Sequence, residues 1–192
     1  YADNRTTALL GASTDILERL DVWRRCSDKA AALKTMRLVD DTGRLIRAPE
    51  VRFNSDEIGR EQFGFNIDNR ALVAALEERA GEIAALTRFD DEAAAVQPDD
   101  AGVTVVTRQG QPLRARLVVG ADGRNSLSRE AAGIEVVSRA LGQSALTFNI
   151  THSRPHRNIS TEFHTEHGPC VFVPLSGDRS SVVWVSTPKE AE

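Results

Sequence analysis

The stretch L-V-V-G-A-D-G-R-N-S-L-S-R, residues 117–129, joins a short apolar run to an acidic residue, a glycine and a polar segment. The apolar run at 117–120 predicts a strand buried on both faces, as in a parallel sheet. Such a strand would place Asp122 at its carboxyl end, where open α/β sheets bind their ligands. Gly123 has no side chain, so the backbone and a ligand could approach each other closely there.

The residues after Gly123 predict a helix from Ser126 to Ala132, ended by Gly133. The free N–H groups of its first turn suit phosphate oxygens, and Asp122 could accept hydrogen bonds from ribose hydroxyls. An ordinary corner, in which Asp122 caps the helix and Gly123 forms the turn, explains the same residues. The spacing alone therefore leaves both a nucleotide site and a helix cap open.

The sequence on either side of this corner is rich in predicted strands. Around 87–116, three short runs separated by Pro- and Gly-containing turns predict an antiparallel meander: Ala93–Val96, Val103–Thr107 and Leu113–Arg116. Towards the C-terminal end, four more strands are predicted: Ser144–Thr151, Ile159–His164, Cys170–Pro174 and Ser181–Ser186.

The first third of the chain mixes both periodicities. Apolar residues at helical spacing predict a helix over 6–24. The runs 36–39 and 44–47 flank D-D-T-G and predict a hairpin. Residues 63–67 alternate as a strand does, and a helix is predicted to follow Asp68-Asn69. The whole pattern predicts a mixed α/β (α+β) chain with two sheets.

Composition excludes several classes of protein. The 192 residues include 24 basic and 28 acidic side chains, for a net charge of −4, which disfavours a nucleic-acid partner. The sequence has no apolar run near the length of a membrane span and no secretory-type leader. Cys26 and Cys170 have no metal-ligand spacing, and we expect reduced thiols in a cytoplasmic protein, with a single bridge between the two as the alternative. No metal site is expected, because Pro155 argues against a helix that would join His152 and His156.

The segment G-A-D-G-R-N-S-L-S-R resembles the A-D-G-x-x-S-x-x-R motif of FAD-dependent aromatic hydroxylases with the para-hydroxybenzoate hydroxylase fold. Three further stretches resemble the ubiquinone-biosynthesis branch, similar to 2-octaprenyl-6-methoxyphenol hydroxylase. They are D-N-R-T-T-A-L at 3–9 with L-D-V-W at 20–23, N-I-D-N-R-A-L at 66–72, and H-G-P-C-V-F-V-P-L at 167–175 with V-W at 183–184. The resemblance covers nearly the whole chain in the family's order.

The resemblance implies a partial FAD/NAD(P)-binding domain plus a substrate-side, mostly antiparallel β-sheet. Residues 1–33 and 64–141 would form the FAD-binding half, and residues 34–63 and 142–192 the substrate-side sheet. FAD and NAD(P)H are the implied cofactors. Arg5 corresponds to the arginine that neutralises the FAD pyrophosphate, Asn69 to a polar contact with the dinucleotide, and Asp122 with Gly123 to the ribose and pyrophosphate site. Asn69 could equally cap a helix, and Ser126 and Arg129 are expected to stabilise the helix that follows.

The resemblance also implies segments that the chain lacks. The family's G-x-G-x-x-G turn does not occur in these residues, and neither does its later G-D-A segment. The missing turn supplies much of the N–H cradle for the pyrophosphate. We therefore expect an internal fragment of a longer flavoenzyme that binds FAD weakly by itself and is inactive alone.

On the substrate side, the implied ligand is a hydrophobic aromatic phenol or quinol precursor. Five apolar residues could line its pocket, although they are better candidates for the core of the sheet: Phe163, Phe172, Val173, Pro174 and Trp184. His164 and His167, three apart, are not expected to converge. No catalytic residue is predicted, and peripheral membrane contact is one option. The alternatives are a stand-alone, non-catalytic ligand-binding or interaction module, and a related flavin halogenase or prenyl reductase.

Overall fold

A computed structural model describes residues 5–192 as three helices and twelve strands in three sheets. The helices are α1 (Gly11–Arg19), α2 (Asn69–Gly81) and α3 (Leu127–Ala131). The strands are β1 (Thr6–Leu10), β2 (Ala31–Leu33), β3 (Thr35–Asp40), β4 (Val51–Asn54), β5 (Gly64–Asp68), β6 (Ala93–Asp99), β7 (Gly102–Thr107), β8 (Pro112–Ala115), β9 (Ser144–Thr151), β10 (Ile159–His164), β11 (Pro169–Leu175) and β12 (Arg179–Ser186).

The chain divides into two compact units. The first holds the described residues up to Ala84 together with Leu141–Glu192, and the second is Ala85–Ala140. The second unit contains the antiparallel meander β6-β7-β8 and helix α3. The predicted meander and the predicted C-terminal strands are all present, and the mixed α/β fold is confirmed.

Two sheets form the first unit. A three-stranded antiparallel sheet has the order β1-β5-β2, and a six-stranded sheet has the order β4-β3-β10-β11-β12-β9. Only the β3–β10 pair of the larger sheet is parallel. Its strands come from residues 35–54 and 144–186, while its role on the substrate side stays a prediction.

The core of the first unit lies between the small sheet and the helices. Leu9, Val22, Trp23, Cys26, Ile67 and Ala75 form one buried cluster. The rings of Trp23 and Phe65 lie 5.0 Å apart between centroids. Arg25, whose side chain is only 9% exposed, connects the segment after α1 to α2 through Asp21, Glu78 and Glu82. Because large aromatic and aliphatic side chains are buried at β5, that strand is held firmly under α2.

The helix predicted over 6–24 is wrong at both ends. Residues 6–10 form β1, which pairs with β5 in the register Thr6↔Asp68 to Leu10↔Gly64. The helix ends at Arg19, and Asp21 takes a left-handed conformation with φ 62°. Pairing with a distant strand therefore overrides the helical spacing of the apolar residues.

The predicted hairpin has the wrong second strand. β3 pairs with β4, and the apolar residues Leu45 and Ile46 are exposed in a loop between them. The Asp40 carboxylate holds this loop, because it accepts hydrogen bonds from the Thr42 hydroxyl at 2.7 Å and from the Ala48 N–H at 2.8 Å. The D-D-T-G segment thus begins a longer loop rather than a tight turn.

The buried strand predicted at 117–120 is also wrong. Within residues 5–192 this segment pairs with no strand, and Leu117 and Val119 are 77% and 78% exposed. A strand buried on both faces needs hydrogen-bonded neighbours along its edges. The described part of the chain supplies none, so Asp122 follows an extended loop.

Candidate functional site

Two of the predicted site residues, Arg5 and Asn69, lie together where β1 begins and α2 begins. The Asn69 N–H donates to the Arg5 carbonyl oxygen at 3.1 Å, continuing the ladder between β1 and β5. The Thr7 hydroxyl donates to the Asn69 side-chain oxygen. This corner combines an exposed guanidinium with the first turn of a 13-residue helix, and both features attract phosphate oxygens.

The side chain of Asp68, the N-cap residue of α2, makes no bond to the helix. Its carboxylate accepts instead from the Asn149 amide at 3.4 Å and lies 3.6 Å from the Arg179 guanidinium. Asp68 rather than Asn69 is thus the N-cap residue of α2, and Asn69 is the first helical residue.

Asp122 and Gly123 lie in the second unit, in the loop before α3. The Asp122 carboxylate accepts from the Ser126 hydroxyl at 2.6 Å, the Ser128 N–H at 3.1 Å and the Ser128 hydroxyl at 3.3 Å. These bonds, that of Ser126 above all, lower the pKa of Asp122 to about 2, so the carboxylate is ionised at neutral pH. Ser126 in turn caps α3 by accepting from the Arg129 N–H at 3.0 Å.

The Asp122 corner therefore has the contacts of a helix cap, and its carboxylate is exposed. Gly123 has φ 78°, a conformation that favours glycine, and a Cβ added there would meet nothing within 4 Å. An exposed, ionised carboxylate beside open space can accept from a ribose hydroxyl.

The six-stranded sheet has two distinct faces. We call inner the face that carries Asn149 and Arg179, which contact Asp68 at the end of β5, and outer the opposite face. Strand registers place Met36, Leu38, Val51 and Phe53 on the inner face. Three of these apolar side chains are substantially exposed, at 42–48% for Met36, Val51 and Phe53.

A cavity of about 300 Å³ opens beside this apolar region. Leu38, Val51, Pro49 and His164 contribute to its lining, and Asp40 borders it. The Nε2 atom of His164 lies 3.3 Å from the Glu162 carboxylate. The cavity combines mainly apolar walls with the imidazole of His164, the Asp40 carboxylate and the Thr42 hydroxyl.

The five apolar residues considered for the substrate pocket do not lie on one face. The same registers place Val173 on the inner face and the other four on the outer face, namely Phe163, Phe172, Pro174 and Trp184. These five therefore cannot line a single pocket.

His164 and His167 contact different carboxylates, Glu162 and Glu190. By contrast, the rings of His152 and His156 meet at 5.8 Å in the loop after β9, without a helix.

Sequence reasoning missed Asn66, which is 1% exposed and whose amide donates to the Pro174 carbonyl at 2.9 Å. It also missed the cluster of Asp68, Asn149 and Arg179. The only signal for Asn66 in the sequence was an asparagine within the alternating apolar strand predicted at 63–67. Within residues 5–192, no group of three potential metal ligands comes together and no helix is long and apolar enough to cross a membrane.

Comparison with known proteins gives the family. The FAD binding domain family matches residues 2–192. The chain belongs to this family. Ubiquinone hydroxylase UbiL of Rhodospirillum rubrum is 33% identical over 183 residues, covering 95% of this FAD-binding chain and 42% of UbiL. The ubiquinone biosynthesis monooxygenase COQ6 of Mus musculus is 26% identical over 200 residues, covering 98% of the chain and 41% of COQ6.

These relatives confirm the resemblance to ubiquinone-biosynthesis hydroxylases, and the chain spans about two fifths of their length. Among solved structures, PqsL of P. aeruginosa in complex with 2-aminobenzoylacetate superposes with a TM-score of 0.78 at 22% identity. The match covers 99% of this chain and 52% of PqsL. That likeness supports the fold of the FAD-binding chain.

Two groups of residues, one in each unit, have chemistry that suits separate parts of an FAD molecule. Arg5 and the start of α2 suit a phosphate, whereas the ionised Asp122 suits a hydroxyl-bearing ribose rather than a second anion. The family match supports FAD as the cofactor. Gly123 leaves open space of the kind that a close ligand approach requires.

Proposed function

We propose that this chain is part of an FAD-dependent monooxygenase that hydroxylates an aromatic phenol or quinol precursor, with NAD(P)H and O2, in ubiquinone biosynthesis. The family match over residues 2–192 carries this proposal, supported by relatives named as ubiquinone hydroxylases. Bound FAD supplies the redox chemistry, taking electrons from NAD(P)H and activating O2. The chain's own residues bind the cofactor, position the substrate and exclude water.

In this proposal Arg5 neutralises the pyrophosphate of FAD and Asn69 makes a polar contact with the dinucleotide. Guanidinium groups pair with phosphate through parallel, charge-assisted hydrogen bonds. Asp122 accepts from the ribose and Gly123 permits close approach. The residue ranges 1–33 with 64–141, and 34–63 with 142–192, are proposed as the cofactor and substrate parts of the whole protein.

The inner face of the six-stranded sheet is the proposed substrate surface. Its exposed apolar side chains at Met36, Val51 and Phe53 gain free energy when an aromatic ring or a hydrocarbon tail covers them. His164, at the rim of the adjoining cavity and paired with Glu162, is positioned to accept a hydrogen bond from a phenol hydroxyl. Because such a substrate would reside in lipid, peripheral membrane contact stays a prediction, which sedimentation with lipid vesicles tests.

The activity test uses the whole protein with FAD, NADH or NADPH, and 18O2. A monooxygenase transfers one labelled oxygen atom to the aromatic product, which mass spectrometry detects as a gain of one 18O. Product formation without the label, or reduction of the substrate instead, would reject hydroxylation. The comparison of NADH with NADPH establishes the electron donor.

The site test measures FAD affinity separately from turnover. Arg5→Gln and Asp122→Asn should each weaken FAD binding, by about tenfold for Arg5, the size expected for loss of a charge-assisted hydrogen bond. Arg19→Gln, an exposed arginine at the end of α1, is the matched control and should leave affinity unchanged. If both site variants bind FAD as tightly as the control does, the assignment of Arg5 and Asp122 to the FAD site is wrong, although the family assignment is unaffected.

A further inference from the structure

The outer face of the six-stranded sheet carries a second cavity, of about 440 Å³. Arg37 of β3 and Phe172 of β11 contribute to its floor, and the loop after β9 supplies its rim with Arg154 and Arg157. This volume falls within the usual range for small-molecule sites, about 300–1,000 Å³. It lies on the face opposite the one proposed for the aromatic substrate.

The charges around this cavity are unbalanced. Three arginines line it and no acidic residue does. Arg154 and Arg157 form no ion pair among residues 5–192. The carboxylate nearest to Arg37 is that of Glu50, at 3.5 Å, and Glu50 is shared with Arg52, whose Nε lies 2.6 Å away. The cavity therefore keeps a net positive charge, which favours an anion.

The rim loop is held in place by its histidines. Nε2 of His156 donates to the carbonyls of Leu175 and Gly177, at 2.9 and 3.0 Å, while its Nδ1 accepts from the Asn158 N–H at 2.9 Å. His152 bonds to the Arg154 carbonyl and to the buried Ser180 hydroxyl. These contacts anchor the loop to the end of β11 and the start of β12.

The loop also carries backbone strain. Arg157 and Asn158 have φ values of 53° and 60°, in the left-handed region. Asparagine tolerates that conformation, whereas arginine pays a cost there. The Asn158 carbonyl accepts from the Lys34 N–H at 3.0 Å, which ties the strained turn to the start of β3. A strained, firmly anchored arginine beside a basic cavity is typical of a ligand site.

The apolar part of the lining restricts the ligand further. Phe172 packs edge-to-face against Phe163 at 5.8 Å, and it lies in the same cross-strand row as Arg37 and Thr161. Ile159 and Pro155 add apolar surface. We propose that this cavity binds an organic anion in which a carboxylate or phosphate group is attached to an aromatic body. The oxyanion would meet the arginines and the ring would lie over Phe172.

The test is a binding measurement on the whole protein carrying FAD, with phenyl phosphate and benzoate as probes. Benzyl alcohol serves as the uncharged counterpart and inorganic phosphate as the ring-free one. Calorimetry should show one site for at least one of the two aromatic anions, with weaker binding of both comparison molecules. Nitrogen-15 signals of His152 and His156 should shift on binding, because their loop forms the rim.

Arg154→Gln combined with Arg157→Asn should weaken binding of the aromatic anion about tenfold or more, the size expected when charge-assisted contacts are lost. Asparagine at 157 suits the left-handed backbone, so this variant should fold as well as the parent. Arg19→Gln is the matched control. No binding of either aromatic anion, equal binding of benzyl alcohol or inorganic phosphate, or unchanged affinity in the double variant would overturn the assignment.

Discussion

Replacing Asn66 by alanine should destabilise the first unit markedly, because its amide is buried and makes the hydrogen bond that joins β5 to β11. The Pro174 carbonyl that accepts this bond is also buried, and losing its donor costs about 1–3 kcal/mol. The small cavity left by the amide adds up to about 1 kcal/mol. We expect a loss of about 2–4 kcal/mol in the free energy of unfolding.

Asn66→Asp should cost more at neutral pH, about 3–5 kcal/mol, since it leaves a buried negative charge facing a carbonyl oxygen. Burial would raise the pKa of the new carboxyl above its unfolded value. Its folded form would therefore bind a proton more readily, and stability relative to the parent should recover as the pH is lowered from 7 to 5.

The assay is urea unfolding followed by tryptophan fluorescence. Both tryptophans, Trp23 and Trp184, lie in the first unit and report on it. Gln143→Ala is the matched control, because the Gln143 amide donates to the His167 carbonyl at 3.2 Å from an exposed position. Gln143→Ala should lower the free energy of unfolding by less than about 0.5 kcal/mol. If Asn66→Ala costs no more than Gln143→Ala, the reasoning about the buried link fails.

Three further predictions follow from other parts of the structure. Gly64→Ala should disrupt the β1–β5 pairing, because the added Cβ would lie 2.0 Å from the Leu9 carbonyl oxygen. The control Gly81→Ala adds a Cβ that meets no atom within 4 Å, so it should be neutral or stabilising. Equal urea midpoints for the two variants would contradict this prediction. Because the pKa of Asp122 is lowered to about 2 in the folded protein, its contribution to stability is present above about pH 4 and should be lost as the pH falls towards 2. Amide NMR should therefore show that the hydrogen bonds of α3 weaken in acid, and Asp122→Asn should abolish this pH dependence. Cys26 is fully buried, and burial raises the pKa of its thiol. At pH 8 this thiol should therefore react with a disulfide reagent only after the protein unfolds. Rapid labelling of Cys26 in the folded protein would refute this prediction.

Much of the secondary structure could be predicted because neighbouring residues encode it. The alternation along β9–β12 and the helix after Asp68 came directly from side-chain periodicity. The helix predicted over 126–132 is present as α3, and Gly133, with φ 65°, ends it as expected, whereas Ser126 is its N-cap residue rather than its first helical residue. In these segments the local preference and the tertiary environment agree.

The candidate site was predicted only in part. Arg5 and Asn69 were named from a resemblance, and their proximity comes from the register of β1 with β5. For Asp122, the sequence left the helix cap and the ribose contact open, and the structure has the contacts of the cap. The basic outer-face cavity could not be predicted, since Arg37 and Arg157 are far apart in the chain.

The sequence by itself determined the family, the mixed α/β class, the strands of the C-terminal part and the residue types available for cofactor chemistry. Only the tertiary structure decided that Thr6–Leu10 is a strand, that β3 pairs with β4 and β10, and which side chains share a face of the sheet. The physical reason is that backbone hydrogen bonds and buried apolar area from distant segments contribute more free energy than the local preference of five or six residues.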